Sequence, residues 1–386
     1  MQSQLPPRVR VSWIENHGTC PCCRGPISKS QALEDFIGNI LRSTELVMSG
    51  FNTNAEMVYF LFDAGKTNEA MAIMAGLNMN INDSTNNEGH SLLYFACIKG
   101  NLDVLNKLID AGASIRVLTN AGWALIHLAC EKGHLHIVNS LFELDADVNI
   151  VNKEGWAPVH LACQNGHLDV LNRLIVADAN IHILSNSGVA PVHSACLKGR
   201  PHILNKLIVA GAAINIVNDS GWTLTHLASQ NGHLGILDRL IELGADVNIV
   251  SKDGWAPIHS ACLKGHMHIL NRLIVAGANI HVQANAGWAP VHSACDNGHL
   301  GIVNRLFELG ADINVVNQEG RAPIHLACQN GNLDMLNRLI ELGASIHVKD
   351  RQGQSAVNIV EANSELHKAL LRNGARPSSK SFCTIS

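Results

Sequence analysis

The sequence predicts an all-α protein, a solenoid of helix–turn–helix units that are each 33 residues long. A glycine stands at every 33rd position from Gly89 to Gly353, and the residues between these repeat glycines follow one recurring order of apolar and polar types. Apolar residues make up 47% of the chain but aromatic residues only 4%. A fixed period of this length is typical of stacked units that bury an apolar face on their neighbours. We therefore expect an elongated core filled by many small side chains.

Each element of the unit follows from its local sequence, and residues 152–184 illustrate the order. A polar run up to Gly155 predicts a β-turn, in which glycine is free to take a positive φ. Pro158 then opens a first helix, where its missing N–H costs nothing, and Gly166 ends that helix. A second helix follows over 168–175, with leucines at helical spacing on one face. A short extended stretch leads to the next turn.

Composition and charge exclude several classes of function. The formal charge of −4 gives no basic excess of the kind that nucleic-acid binding requires. No apolar run is long enough to cross a membrane, and the N-terminal residues lack the pattern of a signal peptide. We expect a soluble protein that is not secreted by the classical route and does not bind nucleic acid.

The cysteines and histidines follow the repeat and predict neither disulfides nor a metal site. Seven of the eleven cysteines occupy one repeat position, in helices expected to pack about 8–10 Å apart, which is too far for a disulfide. Most of the 21 histidines also recur once or twice per repeat, and one ligand per repeat cannot close a tetrahedral zinc site. We expect buried, reduced cysteines and no metal or other cofactor.

The segment Gly155-Trp-Ala-Pro-Val-His-Leu-Ala162 resembles the G-x-T-P-L-H-x-A signature of ankyrin repeats, and strings beginning at Gly122, Gly254 and Gly287 repeat it. The resemblance implies an ankyrin-repeat solenoid, with a β-turn and two helices per repeat. Eight full repeats span 86–349, a degenerate capping repeat precedes them at 53–85, and a C-terminal capping repeat follows at 350–377.

The repeats depart from the family pattern at the helix N-cap and show a longer order of their own. The family's threonine before proline is alanine in most repeats and Thr223 in one, and a lost cap typically costs about 1 kcal/mol. Residues 152–217 and 218–283 resemble each other as pairs of repeats. We expect the helix N-termini to be less stable than in an idealised ankyrin array, and we infer that a pair of repeats was duplicated.

The resemblance implies that turn tips and first helices form a partner-binding surface. Tryptophan is favoured at interface hot spots because it offers a large rigid area. The alternative interpretation is that each ring packs on its own turn. Five of the six tryptophans directly follow a repeat glycine: Trp123, Trp156, Trp222, Trp255 and Trp288. Lys198, Lys264 and Arg321, which replaces a tryptophan, are the charged residues that we predict to contact the protein partner.

The N-terminal residues 1–45 resemble the second half of a RING or U-box domain, the small modules of ubiquitin ligases. The resemblance lies in Trp13 followed by Cys20-Pro-Cys-Cys-Arg24 and Pro26-Ile27, and it implies that Trp13, Pro21 and Arg24 contact a ubiquitin-conjugating enzyme. Only Cys20 and Cys23 have the spacing of a zinc-binding pair. Either the module begins upstream, or it is a degenerate remnant, or the match is a coincidence.

The residues 378–386 are expected to be a flexible tail, and Cys383-Thr-Ile-Ser386 fits the C-a-a-X prenylation motif. A prenyl chain alone binds a membrane marginally, and basic residues supply a second signal. The preceding segment offers four of them: Lys368, Arg372, Arg376 and Lys380. The alternative is an unmodified tail.

Taken together, these features predict an interaction scaffold that binds a protein partner and is tethered to a membrane through Cys383. The alternative is a substrate-recognising ubiquitin ligase of the RING or U-box type. A self-contained enzyme is not expected, because it would have little room outside the repeats. We expect the protein in the cytoplasm, at the cytosolic face of a membrane. Both functions require a eukaryotic cell. The protein belongs either to a eukaryote or to a bacterium that delivers it into a eukaryotic host cell as an effector.

Overall fold

The structure, a computed structural model, describes residues 58, 61, 64–76, 81–82 and 89–376. Over those residues it contains helices and turns but no β-strand, apart from isolated bridges between Leu118 and Ala124 and between Val217 and Thr223. The prediction of an all-α repeat protein is therefore confirmed. The described chain divides into two compact units between Lys153 and Glu154.

The first unit contains five described helices. Helix α2 packs against α3, its partner in the same repeat, and against α4, the first helix of the next repeat; α4 packs against α5. Their bounds are α1 (Thr67–Gly76), α2 (Leu92–Lys99), α3 (Leu102–Asp110), α4 (Leu125–Lys132) and α5 (Leu135–Glu143).

The second unit repeats the same arrangement, with two layers of helices. Each first helix packs against the first helices of adjacent repeats, and the second helices form a parallel outer layer with fewer mutual contacts. The first helices are α6 (Pro158–Asn165), α8 (Pro191–Leu197), α10 (Leu224–Asn231), α12 (Pro257–Lys264), α14 (Pro290–Asp296), α16 (Pro323–Gln329) and α18 (Ala356–Ile359). The second helices are α7 (Leu168–Val176), α9 (Pro201–Val209), α11 (Leu234–Glu242), α13 (Met267–Val275), α15 (Leu300–Glu308), α17 (Leu333–Glu341) and α19 (Glu365–Arg372).

The core lies between the two helices of each repeat and is built from small residues. Ala162 and Cys163 of α6 and Leu171 and Leu174 of α7 are fully buried, and the equivalent residues are buried in the other repeats. No disulfide joins the described cysteines at this position. Burial raises the pKa of the thiols, that of Cys328 to about 12, so these cysteines remain protonated and act as small apolar side chains; the thiols concerned are those of Cys97, Cys130, Cys196, Cys262, Cys295 and Cys328.

The N-terminal cap of an ankyrin first helix consists of two hydrogen bonds, and the first helices with alanine at the N-cap keep one of them. Ala157 has no side-chain oxygen, but its backbone N–H donates to Nδ1 of His160, three residues later, at 3.0 Å. Thr223 forms both halves, because its Oγ1 also accepts from the N–H of His226 at 3.3 Å. The histidine of the repeat thus compensates for part of the missing threonine.

Two repeats of the second unit carry an asparagine that is hydrogen-bonded to the next repeat. Nδ2 of Asn248 donates to the Gly277 carbonyl at 3.0 Å, while its Oδ1 accepts from the Asn279 N–H at 2.8 Å. Asn314 makes the same pair of bonds to Gly343 and Ser345. The intervening repeat has His281 at this position, where the described structure has no equivalent pair of bonds.

None of the helices in the described chain is both long and apolar enough to span a membrane. The RING-like segment 1–45 and the tail 378–386 lie outside the described residues.

Candidate functional site

The turn tips of successive repeats are tied together by backbone hydrogen bonds. Asp219 donates its N–H to the Ser187 carbonyl, Lys252 to Ser220, and Asn285 to Asp253, at 2.9–3.2 Å. In the second unit the N–H groups of Gln318 and Arg351 make the equivalent bonds to the preceding turn tip. In the first unit the N–H of Lys153 donates to the Ala121 carbonyl. The side chains on the tips are therefore presented from a regularly spaced, rigid backbone.

The tryptophans of the tips are held in place but not buried. Each of the five predicted residues is half-buried, and its ring packs edge-on or tilted against the histidine four residues later in its own repeat. In the second unit the distance between ring centroids is 5.3 Å for Trp222 and His226 and 5.1 Å for Trp255 and His259. The rings thus pack within their own repeats and still expose area, and their contact with a partner stays a prediction.

Two histidines of the second unit connect a tryptophan to the tryptophan of the next repeat. Nε2 of His226 bonds the Trp255 carbonyl at 2.8 Å, and Nε2 of His259 bonds the Trp288 carbonyl at 3.0 Å. Since Nδ1 of the same rings accepts from a backbone N–H, these partners assign the neutral tautomer with hydrogen on Nε2. Each of these two histidines therefore packs against the ring of its own tryptophan and bonds the backbone of the next tryptophan.

Burial keeps these histidines neutral. It lowers the pKa of His193, His226 and His259 to about 4, and it also lowers the pKa of His292 and His325. The described residues contain no group of His, Cys, Asp and Glu side chains that could hold a metal ion. The arrangement suits a structural and binding role for these residues.

A row of exposed aliphatic residues accompanies the tryptophans, and sequence reasoning missed it. These six residues each lie 29 positions after a repeat glycine, and they expose 45–52% of their surface. They are Leu118 and Val151 in the first unit and Leu184, Val217, Val250 and Val316 in the second. We call the second unit's set of Leu184, Val217, Trp222, Val250, Trp255, Trp288 and Val316 the tip surface.

The predicted charged residues differ in how accessible they are. Lys198, directly after α8, and Lys264, the last residue of α12, are exposed. Arg321 is half-buried, and its guanidinium is engaged by Glu319 and by Oε1 of Gln329, each at 3.3 Å. Trp13, Pro21, Arg24 and Cys383 lie outside the described residues.

Comparison with known proteins bears on the repeats. A family model described as "Ankyrin repeats (3 copies)" matches in overlapping windows: 46–152, 93–187, 126–218, 159–251, 192–284, 225–317, 258–350 and 292–381. Among solved structures, the chain is similar to the crystal structure of the human ASB11 ankyrin repeat domain. The identity is 28% and the TM-score 0.52, and the match covers 58% of this chain and 100% of that one. A search of curated protein sequences gave no match.

Proposed function

The chain belongs to the ankyrin-repeat family, and from this premise we propose that it is an interaction scaffold whose protein partner binds along the tip surface. Ankyrin repeats serve protein–protein interaction, which supports this class of function. The observation that carries the proposal is the row of half-exposed tryptophans, each packed against a histidine of its own repeat and most of them accompanied by an exposed aliphatic residue.

The energetics favour a protein as the ligand of this surface. Exposed apolar side chains that recur on adjacent turns form a patch of the kind that marks protein interaction sites. Tryptophans whose rings and backbone are already fixed lose little side-chain entropy on binding. The surface has no basic excess and no metal cluster among its described residues, so a nucleic acid or a metal-dependent ligand suits it less.

Replacing one tip tryptophan should weaken partner binding strongly. We expect the Trp255→Val variant, which copies the residue that the chain already has at Val189, to lose at least about tenfold in affinity for the partner, as hot-spot residues do. The measurement is the amount of partner protein captured by the variant and by the wild-type chain.

The matched control is Val209→Ala, which removes exposed apolar surface from the second helix α9, away from the tips; Val209 is 84% exposed. Capture should survive this change. Equal recovery with Trp255→Val and the wild type, at unchanged thermal stability, would exclude the tip surface as the binding site.

A membrane tether at Cys383 is the second part of the proposal, and the C-a-a-X motif supports it. Of the four basic residues predicted to assist the tether, Lys368 is already paired with Glu365 at 2.7 Å. The electrostatic contribution then comes mainly from Arg372, Arg376 and Lys380, at about 1 kcal/mol for each basic residue near an anionic surface.

We expect Cys383→Ser to move the protein from the membrane fraction to the soluble fraction of a eukaryotic cell, because the lipid attachment site is lost. Fractionation followed by immunoblotting measures the change, with Ser381→Ala as the control that leaves the motif intact. An unchanged membrane fraction in the Cys383→Ser protein would exclude the prenyl anchor. The location proposed is therefore the cytosolic face of a membrane, in a eukaryotic cell or in the host cell of a bacterial effector.

The alternative function is a ubiquitin ligase in which the tip surface holds the substrate. The Trp13, Pro21 and Arg24 constellation supports it. Autoubiquitination by the full chain that disappears in the Arg24→Ala variant would favour the ligase. If neither protein is active, the interaction scaffold remains the proposed function.

A further inference from the structure

The first unit has a surface pocket that the repeats alone do not explain. Its volume is about 450 Å³, and it lies where the first helices α2 and α4 adjoin the turn between them. The residues that line it include His90, Tyr94, Asn120, Trp123, Leu128 and Glu131. Three aromatic rings and one carboxylate thus face a space large enough for a side chain of a bound protein.

The aromatic side of the pocket is preorganised. The rings of His90 and Tyr94 are stacked, with centroids 3.7 Å apart and planes within 7°. Trp123 is fixed through its backbone N–H, which donates to Oγ1 of Thr119 at 3.0 Å, and through its ring, which packs against His127. The faces of tyrosine and tryptophan rings carry negative electrostatic potential and attract cations within about 6 Å.

Only this repeat has a glutamate at the position of Glu131, and the one other acid there is Asp296. Glu131 lies in the last turn of α4, and the same position is Gln164, Gln230 or Gln329 in other repeats and leucine at Leu197. Glu131 is paired with Lys132 at 2.9 Å, but both side chains are partly exposed. Ion pairs of this kind contribute little, so a cation entering the pocket can compete with Lys132.

The basic residues close to the pocket do not prevent a cation from entering it. Lys99 stands over the Phe95 ring, 5.7 Å from its centroid, and Lys132 is held by Glu131; neither lines the pocket. We propose that the pocket binds an arginine or lysine side chain of the protein partner, held between the aromatic rings and Glu131. This inference rests on the proposed function, which it extends by naming a feature of the partner.

The test uses small probes and the full chain. Saturation-transfer NMR compares N-acetyl-arginine amide and N-acetyl-lysine amide with the uncharged N-acetyl-citrulline amide and N-acetyl-norleucine amide. We expect the two cations to bind the wild-type chain at least about threefold more tightly than the uncharged probes, because only they gain the charge and ring interactions. Glu131→Gln should remove that preference, and it introduces the residue that other repeats already have.

Two further variants separate the pocket from general effects. Asp296→Asn removes an acid at the equivalent position of another repeat and should leave cation binding unchanged. Trp123→Val, which copies Val189, should weaken all binding of the cations. Equal binding of cationic and uncharged probes, or cation binding that survives Glu131→Gln, overturns the assignment. Such a result would leave the role of Trp255 in partner capture intact, so failure here is distinguishable from failure of the proposed function.

Discussion

Between pH 6.5 and pH 4, the second unit is expected to lose stability steeply. Burial lowers the pKa of His193, His226 and His259 to about 4, and histidine in an unfolded chain titrates near 6.5. Because the folded pKa is the lower one, the unfolded chain takes up protons first as the pH falls. The stability contributed by these groups is complete above pH 6.5 and is lost as the pH falls toward 4.

The reason lies in the hydrogen bonds of each ring. In the neutral form, Nδ1 of His259 accepts from the Ala256 N–H at 3.0 Å, and Nε2 donates to the Trp288 carbonyl at 3.0 Å. Protonation puts a hydrogen on Nδ1, where it faces the N–H donor, so the cap bond is lost and a charge is buried. The neighbouring ring of His226 disfavours that charge further.

The expected loss of unfolding free energy is large compared with the total stability of a folded domain. Each such histidine contributes about 1.4 kcal/mol per pH unit within the window, so three contribute about 4 kcal/mol per pH unit. Typical domains have a total stability of about 5–15 kcal/mol. Urea unfolding followed by circular dichroism at pH 7, 6 and 5 measures the change in midpoint.

Two variants test the origin of the pH dependence. His259→Asn introduces the residue that caps helix α18, where Oδ1 of Asn358 accepts from the Ser355 N–H. This variant should lower the dependence of the unfolding free energy on pH by about 1.4 kcal/mol per pH unit, the contribution of one histidine. His268→Gln changes an exposed histidine and should leave the slope as it is. An unfolding midpoint that stays constant from pH 7 to pH 5 would contradict the role assigned to the buried rings.

Gly254→Ala should be among the most destabilising single substitutions in the chain. Gly254 has a φ of +77°, and a Cβ at this position would lie 2.7 Å from the backbone nitrogen of Asn285 and 3.0 Å from Cα of Ala284. The left-handed conformation costs alanine about 1–2 kcal/mol. The contact adds to that cost, because it pushes on the next turn tip, where Asn285 donates to the Asp253 carbonyl.

A glycine of the same repeat supplies the control. Gly277 has a φ of +87°, but a Cβ there would meet nothing within 4 Å. We expect Gly277→Ala to cost about 1–2 kcal/mol and Gly254→Ala about 3 kcal/mol or more in the free energy of unfolding. Equal losses in the two variants would mean that the tip-to-tip contact contributes nothing.

The sequence was sufficient to predict what is local to one repeat. The period of the glycines, Pro158 at a helix start and the leucine spacing of α7 determine the helices, and the position of tryptophan after glycine places it on a turn. The fold class was therefore predictable from the order of residues alone. The state of the cysteines followed from the same geometry.

What joins different repeats was not predictable from the pattern. Val217 and Val250 continue an apolar pattern and look like core residues, and only the structure shows them exposed on the turns. The bridge from His226 to Trp255 links residues 29 positions apart, and the pocket combines Tyr94 and Glu131 from two different repeats. Such relations depend on how successive repeats stack, which the order of residue types within one repeat does not encode.

The asparagine bonds make the junctions between repeats of the second unit unequal in strength. Asn248 and Asn314 each add two hydrogen bonds to the junction that follows them, whereas the junction after His281 lacks this pair. In a one-dimensional array, local opening starts at the weakest nearest-neighbour junction. We therefore expect the second unit to open first at a junction without these bonds, such as the one after His281, although the spacing of the repeat glycines is the same throughout.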